Sequence, residues 1–290
     1  MFISFDEWNV WYLNEEPSKN PEGIGNWPVA PRLLEDVYSA ADAVVFGDLM
    51  ITLLKNADRV HAASLAQLVN VIAPIMTEPG GPAWRQTTFY PFSLTAKLAK
   101  GGTVLEPKLA SGTYETDKYG EVPTINSVAV RGEDGTISVF VVNRSMEAAN
   151  DFAIKLPEGF ALSAVEAQTL HEDDLLAKNT LEDQNRVVLH PNTTITSDAD
   201  TGTVRVTLPP VSWTAVHVKR FERRRRMTGR SLLWLLCPVQ PPSNTQTIIN
   251  MPGLQKERFG FATNVMWHTS QRKTMPSFTS TGTIRYPTKE

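Results

Sequence analysis

The residues best suited to chemistry form one cluster near the start of the sequence. Two carboxylates, an amide and two tryptophans, Asp6, Glu7, Trp8, Asn9 and Trp11, follow a short apolar run. At the end of a strand in an α/β barrel, a carboxylate stands where that architecture places catalytic groups. In glycoside hydrolysis a carboxylate stabilises or captures an oxocarbenium-like centre, and tryptophans would provide apolar platforms for sugar faces. The alternative is that both carboxylates cap the next element and both tryptophans belong to the core.

Residues 1–100 show the pattern of an α/β protein. The apolar runs at residues 2–5 and Val60–Leu65 predict two buried strands. Apolar residues near the helical period predict helical structure over Arg32–Asn56, where Gly47 leaves open a division into two helices. A further helix is predicted over Ala83–Lys100, before a pair of glycines. The order strand, helix, strand, helix predicts two βα units.

Residues 101–220 change to short strands separated by turn residues. Gly132–Gly135 predicts a hairpin connection, with Asp-Gly as its central signal. Several short strands at this spacing predict an all-β sandwich. The predicted strands are Thr103–Pro107, Ile125–Val130, Ile137–Val142, Phe152–Leu156, Ala164–Leu170, Val187–Leu189, Val204–Leu208 and Ser212–Val218.

Charge divides the chain near residue 219. Residues 1–218 hold 15 Lys+Arg and 28 Asp+Glu, a net charge of −13, whereas residues 219–290 hold 13 and 3, a net charge of +10. Residues 221–290 lack periodicity, and we expect a disordered basic tail or a non-native extension. The arginine run Arg223–Arg226 could also contact nucleic acid or another acidic surface. The acidic body and the absence of a binding motif argue against nucleic acid.

Composition excludes several classes of site. Cys237 is the single cysteine, which excludes a disulfide framework and any site with several thiolate ligands. The five histidines show no metal-ligand spacing, so we expect no metal and no cofactor. No apolar run reaches the roughly 18 residues of a membrane span, so we expect no membrane partner.

The segment Ile3–Tyr12 closely resembles the nucleophile segment of glycoside hydrolase family 51, the α-L-arabinofuranosidases. The resemblance covers about residues 2–220 and is most specific in the first hundred. It continues through Trp27–Pro31, Leu33–Tyr38, Ile51–Leu54, Ala57–Val60, Leu65–Ile75, Gly81–Trp84 and Phe89–Phe92, and in the sandwich through Val141–Arg144 and Leu208–Trp213.

The resemblance implies a fold and an activity. The fold is the C-terminal part of a (β/α)8 TIM barrel followed by a jelly-roll-type β-sandwich, so residues 1–100 would be the last two βα units and residues 101–220 the sandwich. The activity is the hydrolysis, with retention, of terminal α-L-arabinofuranosyl groups of arabinan, arabinoxylan and arabino-oligosaccharides, in L-arabinose metabolism. Similar proteins are commonly cytoplasmic and homo-oligomeric, and we expect the same here.

The same resemblance assigns roles to three residues. Glu7 matches the catalytic nucleophile, Trp11 matches a tryptophan lining the arabinose pocket, and Gln67 matches a glutamine that binds the substrate from the loop after the last barrel strand. For Gln67 the alternative is a loop residue that satisfies backbone groups. Trp8 and Asn9 are expected to pack and support.

The chain also departs from the family pattern. The nucleophile belongs on the seventh barrel strand, and the acid/base glutamate of the fourth strand has no counterpart in this sequence. We therefore expect a fragment that is inactive alone, with apolar strand faces and edges left open because two βα units cannot close a barrel. The alternative is a non-catalytic carbohydrate-binding or interaction module, with the sandwich as its working part.

Overall fold

The computed structural model describes residues 1–10, 23–26, 29 and 36–221, and the backbone of two later strands. These residues form two helices, many short strands and a single turn of 3-10 helix at Ile24–Asn26. The helices are α1 (Ala40–Lys55) and α2 (Phe89–Ala99), and the strands are β1 (Ile3–Trp8), β2 (Val60–Leu65), β3 (Ile75–Thr77), β4 (Ala83–Arg85), β5 (Thr103–Leu105), β6 (Lys108–Ala110), β7 (Thr113–Thr116), β8 (Gly120–Pro123), β9 (Ile125–Arg131), β10 (Ile137–Asn143), β11 (Asn150–Lys155), β12 (Leu162–Leu170), β13 (His190–Pro191), β14 (Thr196–Asp198), β15 (Thr203–Leu208), β16 (Ser212–Arg220), β17 (Gln246–Asn250) and β18 (Gln255–Arg258).

β1 and β2 run parallel and are connected through α1, as a βαβ unit requires. One face of this strand pair packs on α1 through Trp8, Phe46, Met50 and Leu53. The prediction that both strands are buried is wrong: Phe2 remains 63% exposed, Ile3 and Phe5 are also exposed, and no residue of β2 is fully buried. In the described part of the chain Ile3–Glu7 are all exposed, and only Trp8 of β1 is buried.

α1 is one helix that begins later than the sequence suggests. The predicted start at Arg32 lies outside the described residues, and Ser39 precedes the first helical residue as an N-cap. The Ser39 side chain accepts from the Asp42 backbone N–H, and the Asp42 carboxylate accepts from the Ser39 backbone N–H. This reciprocal capping box fixes the start of the helix at Ala40. Gly47 lies inside the helix and does not divide it.

The helix predicted over Ala83–Lys100 is only partly correct. Its first residues form β4, which pairs with β3, and α2 begins at Phe89. The intervening Gln86 is completely buried. Its Oε1 accepts from the Tyr38 backbone N–H at 2.9 Å, and its Nε2 donates to the Ala73 carbonyl oxygen at 2.8 Å. These buried hydrogen bonds hold the segment extended where local propensity favours a helix.

The remaining strands form two facing sheets. The seven-stranded sheet has the order β13-β12-β16-β10-β9-β5-β18, and the five-stranded sheet has the order β14-β15-β11-β17-β6. Their inner faces enclose a core that includes Phe152, Ile154, Val139 and Val216. β9 and β10 pair antiparallel without interruption, which confirms the predicted hairpin at Gly132–Gly135.

Seven of the eight strands predicted between residues 101 and 220 overlap observed strands. The prediction of a strand over Val187–Leu189 is wrong. The Asn179 side chain bonds both backbone groups of Val187, accepting from its N–H at 2.8 Å and donating to its carbonyl oxygen at 2.9 Å. Val187 therefore satisfies both of its backbone polar groups without a sheet. The short strands β6, β7, β8 and β14 were not predicted, because three or four residues give too weak a pattern.

α1 and α2 cover the outer face of the seven-stranded sheet. The buried side chains between them include Ala43, Ile51, Phe140 and Trp213. α1 therefore contributes buried side chains both to the cluster with β1 and β2 and to the cluster on the seven-stranded sheet. Neither helix has the length and apolar character needed to cross a bilayer.

β17 and β18 lie in the region predicted to be a disordered tail. β17 joins the five-stranded sheet and β18 pairs with β5, so the expectation of no structure is wrong for these two segments. Their backbone groups find partners in sheets formed by distant parts of the chain, which a local pattern does not reveal. The rest of residues 222–290, including Arg223–Arg226, lies outside the described residues.

Candidate active site

The structure brings Glu7 and Gln67 to the same edge of the parallel strand pair. Trp8 pairs with Leu65, and its carbonyl oxygen accepts from the Ala66 backbone N–H at 3.2 Å. Glu7 directly precedes Trp8, and Gln67 directly follows Ala66. Carboxyl ends of parallel strands are where α/β folds gather their catalytic groups.

Trp8 anchors the end of β1 to the helix behind it. The Trp8 indole is only 6% exposed and stacks on Phe46 of α1, with ring centroids 4.7 Å apart and an interplanar angle of 24°. Glu7, directly before it, is exposed. The pairing with β2 is irregular between Phe5 and Trp8, so the chain departs from regular strand geometry where it carries Glu7.

Asp6 has a local partner that Glu7 does not share. The Ser4 hydroxyl donates a hydrogen bond to Asp6 Oδ1 within the same strand. The Asp6 carboxylate is thus engaged by a side chain two residues away, at the exposed surface.

Asn9 ties the end of β1 to the loop that carries Gln67. Its Nδ2 donates to the Ile72 carbonyl oxygen at 2.7 Å, and its Oδ1 accepts from the Val10 backbone N–H at 2.9 Å. Asn9 is buried, so these bonds lie in a region of low dielectric. The expectation that Trp8 and Asn9 pack and support agrees with these contacts.

The loop after β2 holds an unusual backbone conformation that the sequence did not reveal. Gln67, Asn70 and Val71 all have positive φ angles, of 61°, 60° and 62°. A β-branched residue such as Val71 rarely adopts this region, so surrounding contacts must enforce it. The Val71 carbonyl oxygen accepts from the Asp36 backbone N–H at 3.0 Å, and Asn70 Oδ1 accepts from the Thr77 backbone N–H at 2.7 Å. Strained loops of this kind concentrate at binding sites.

Partly exposed apolar and aromatic groups lie at the start of the strand pair and in the loop after β2. Phe2 stacks on His61 across the two strands, with ring centroids 3.7 Å apart. In the loop, Leu68 and Val69 are 58% and 40% exposed. Trp11, the predicted pocket tryptophan, lies outside the described residues. Among the described residues there is no cluster of three or more His, Cys, Asp or Glu suited to a metal ion.

A polar network fixes α1, the helix behind the site, to the sandwich. Arg144 donates from Nε and Nη2 to Asp48 Oδ2 at 3.1 and 2.6 Å, and Asn126 Nδ2 donates to Asp48 Oδ1 at 2.6 Å. Lys55 completes the network by donating to Asn126 Oδ1. Burial lowers the pKa of Lys55, and the nearby Asp48 carboxylate opposes this shift. The network spans two elements of the sandwich and holds the helix against them.

Comparison with known proteins gives one consistent result. The family described as the α-L-arabinofuranosidase C-terminal domain matches residues 6–212. An intracellular exo-α-(1→5)-L-arabinofuranosidase from Streptomyces lividans is 50% identical over 214 residues, which cover 74% of this chain and 32% of that protein. The protein of the same description from Bifidobacterium longum is 46% identical over 230 residues, which cover 74% of this chain and 40% of that protein.

The fold comparison agrees with the sequence comparison. The solved structure of a family 51 α-L-arabinofuranosidase from Bifidobacterium longum matches with a TM-score of 0.66 and 47% identity, over 75% of this chain and 42% of that chain. The present chain therefore spans between 32% and 42% of the length of these relatives.

Proposed function

Since the chain belongs to glycoside hydrolase family 51, the α-L-arabinofuranosidases, we propose that it supplies the nucleophile side of a retaining arabinofuranosidase site. On this proposal β1 and β2 are the last two strands of a (β/α)8 barrel, and residues 101–220 are its jelly-roll-type sandwich. One observation carries the proposal: Glu7 and Gln67 lie at the carboxyl edge of adjacent parallel strands, with Glu7 exposed next to the packed Trp8.

The proposed chemistry follows from this placement. The ionised Glu7 carboxylate attacks the anomeric carbon of a terminal α-L-arabinofuranosyl group, and the bond to the leaving oxygen breaks as a second carboxyl group protonates it. Water then cleaves the glycosyl ester, so configuration is retained. The Gln67 amide can donate to and accept from the sugar hydroxyls. Trp11 is proposed as an apolar wall of the sugar pocket.

The second carboxyl group must lie roughly 5 Å from the nucleophile in a retaining site. The resemblance assigns no residue of this sequence to that role, and Glu15 and Glu16 do not match it. We therefore propose that the 290-residue polypeptide has negligible activity by itself and gains it only beside an acid/base half. The alternative, a non-catalytic carbohydrate-binding or interaction module, needs no such partner.

The names of the relatives suggest the substrate class and the cellular location of this activity. Those from Streptomyces lividans and Bifidobacterium longum are named intracellular exo-α-(1→5)-L-arabinofuranosidases. We propose the same class of substrate here, the terminal arabinofuranosyl groups of arabinan, arabinoxylan and arabino-oligosaccharides. We also propose a cytoplasmic location and a homo-oligomeric complete enzyme, with neither nucleic acid nor membrane as partner.

A chimera tests the proposal directly. Residues 1–221 of this chain would replace the matching segment of the Streptomyces lividans relative, and turnover of an aryl α-L-arabinofuranoside would be measured. We expect an active chimera, a loss on the order of 10³-fold in kcat for Glu7→Gln, and nearly unchanged turnover for the control Asp6→Asn. The 290-residue chain should show no turnover. An active Glu7→Gln chimera would refute the assignment, and a folded but inactive parent chimera would favour the non-catalytic module.

A further inference from the structure

The five-stranded sheet contains a position that a remote segment fills. β17 lies between β11 and β6, parallel to the first and antiparallel to the second. It pairs with Asp151–Lys155 of β11 and with Lys108–Ala110 of β6. β17 is the one strand with which β6 pairs in the described part of the chain, so removal of β17 would leave a gap between β11 and β6.

The edge of β11 that faces this gap is suited to accept a strand. β11 pairs with β15 on its other side through six consecutive residues without a bulge. Its side chains Phe152 and Ile154 are buried in the core between the sheets. A regular, core-anchored strand without proline or bulge offers an unprotected row of backbone groups when its edge is open. Such an edge binds extended peptides by β-augmentation.

The register of β17 on β11 is continuous over five residue pairs, with polar residues paired at both ends. Gln246 stands opposite Asp151, and Asn250 stands opposite Lys155. Between them, Ile248 stands opposite Ala153. A slip by one residue would place neither Gln246 opposite Asp151 nor Asn250 opposite Lys155.

The occupant is not tied to the slot by a short turn. Residue 221 ends the continuous described chain, and β17 begins only at residue 246. A parallel pairing also needs a long connection and is slightly less stable per residue than an antiparallel one. We propose that the slot between β11 and β6 is a β-strand acceptor site, occupied in cis by Gln246–Asn250 and able to bind that segment in trans.

The full chain provides the test. Ile248→Pro removes a backbone N–H from a strand with neighbours on both sides, whereas the control Ile248→Val keeps it. In Ile248→Pro, we expect amide exchange of Asp151–Lys155 and Lys108–Ala110 to accelerate about tenfold or more. A fluorescent peptide of residues 244–252 should then bind the Ile248→Pro chain about tenfold or more tightly than it binds the wild-type chain, whose slot is filled. Equal exchange in both variants, or equal peptide binding by both chains, would refute the acceptor site.

A crosslink keeps the proposal testable if Ile248→Pro fails to fold. In a Cys237→Ser background, Ala153→Cys and Ile248→Cys place two thiols at paired positions, and mild oxidation should join them. The matched control, Asp151→Cys with Asn250→Cys, separates the thiols by four residues along the strands, about 13 Å. Absence of the first crosslink, or equal formation of both, would show that β17 does not occupy this slot.

Discussion

Gly47 of α1 lies directly against the indole ring of Trp213 in β16. A Cβ atom built on Gly47 would stand 2.7 Å from Trp213 Nε1 and 2.8 Å from its Cγ, closer than such atoms approach in proteins. Trp213 is fully buried and stacks on Phe140, with ring centroids 6.1 Å apart. The absence of a side chain at Gly47 therefore allows the helix to approach the sheet this closely.

The residues on each side of Gly47 extend this contact in two directions. Phe46 stacks on Trp8, the neighbour of Glu7, and Asp48 forms the ion pair with Arg144 of the sandwich. Three consecutive residues of α1 thus connect the strand that carries the proposed nucleophile to the sandwich. The position of β1 therefore depends on how α1 packs against the seven-stranded sheet.

Gly47→Ala should lower the free energy of unfolding by about 1–3 kcal/mol, because the added methyl group overpacks against Trp213. Alanine would otherwise favour the helix, so the expected sign is opposite to the propensity effect. Gly112→Ala is the matched control, since the nearest atom to its Cβ lies 4.0 Å away. Urea unfolding would measure both, and a Trp213→Phe background should reduce the cost of Gly47→Ala. An equal cost in both backgrounds would contradict the steric explanation.

Asp48→Ala should lower the free energy of unfolding by about 1–3 kcal/mol, because it leaves Arg144 and Asn126 without their shared acceptor. The side chains of Asp48 and Arg144 are 22% and 26% exposed, so water replaces the lost bonds incompletely. The control is Glu166→Ala, which breaks the more exposed 3.0 Å pair with Lys219 and should cost below about 1 kcal/mol. Urea unfolding at low and at high salt concentration would measure both losses in free energy of unfolding. Equal losses for Asp48→Ala and Glu166→Ala would contradict a stabilising role for the network.

Local sequence patterns predicted the elements whose stability is local. Val60–Leu65 forms β2 with the predicted bounds, and the hairpin at Gly132–Gly135 forms as its Asp-Gly signal indicated. The same patterns failed where contacts with residues distant in sequence determine the local conformation. Gly47 left open a break in the helix, because the residue against which it packs, Trp213, lies far away in sequence. Gln86 interrupts a predicted helix through side-chain hydrogen bonds to two other segments, at Asp36 and Tyr38 and at Ala73.

The sequence indicated the residues of the candidate site but not the backbone conformation of the loop that carries Gln67. The resemblance gave Glu7 and Gln67, and the parallel pairing of β1 with β2 brings them to one edge. The positive φ angles of Gln67, Asn70 and Val71 were not predictable, because nothing in those residue types requires a left-handed backbone. The roles of Glu7, Gln67 and Trp11 stay predictions until the chimera is assayed.

Trp8→Ala should lower the free energy of unfolding by about 3–5 kcal/mol, because it removes a buried ring that packs against Phe46. Trp8→Phe should cost clearly less, since it keeps an aromatic ring and removes an indole N–H that is buried without a hydrogen-bond partner among the described residues. The control Phe2→Ala, at a position 63% exposed, should change stability by less than about 0.5 kcal/mol. Thermal unfolding would rank the three variants, and a Trp8→Phe cost equal to that of Trp8→Ala would contradict the stacking argument.

His217 should make the protein less stable as the pH falls below about 6.5, the pKa of an unperturbed histidine. Burial lowers the pKa of His217 in the folded protein, and the nearby Glu166 carboxylate opposes this shift. Above that pH both states leave the ring neutral, and below it the unfolded chain takes up a proton first, so the free energy of unfolding decreases.

The variant His217→Gln should show a weaker decrease between about pH 7.5 and 5.5, because it cannot titrate there. Glutamine can still meet the Ser138 hydroxyl, which lies 3.0 Å from His217 Nδ1. His190→Gln, at an exposed position, is the control and should follow the wild-type profile. Urea unfolding across this range measures all three proteins. If the wild-type and His217→Gln profiles run parallel, burial of this ring does not cause the acid sensitivity.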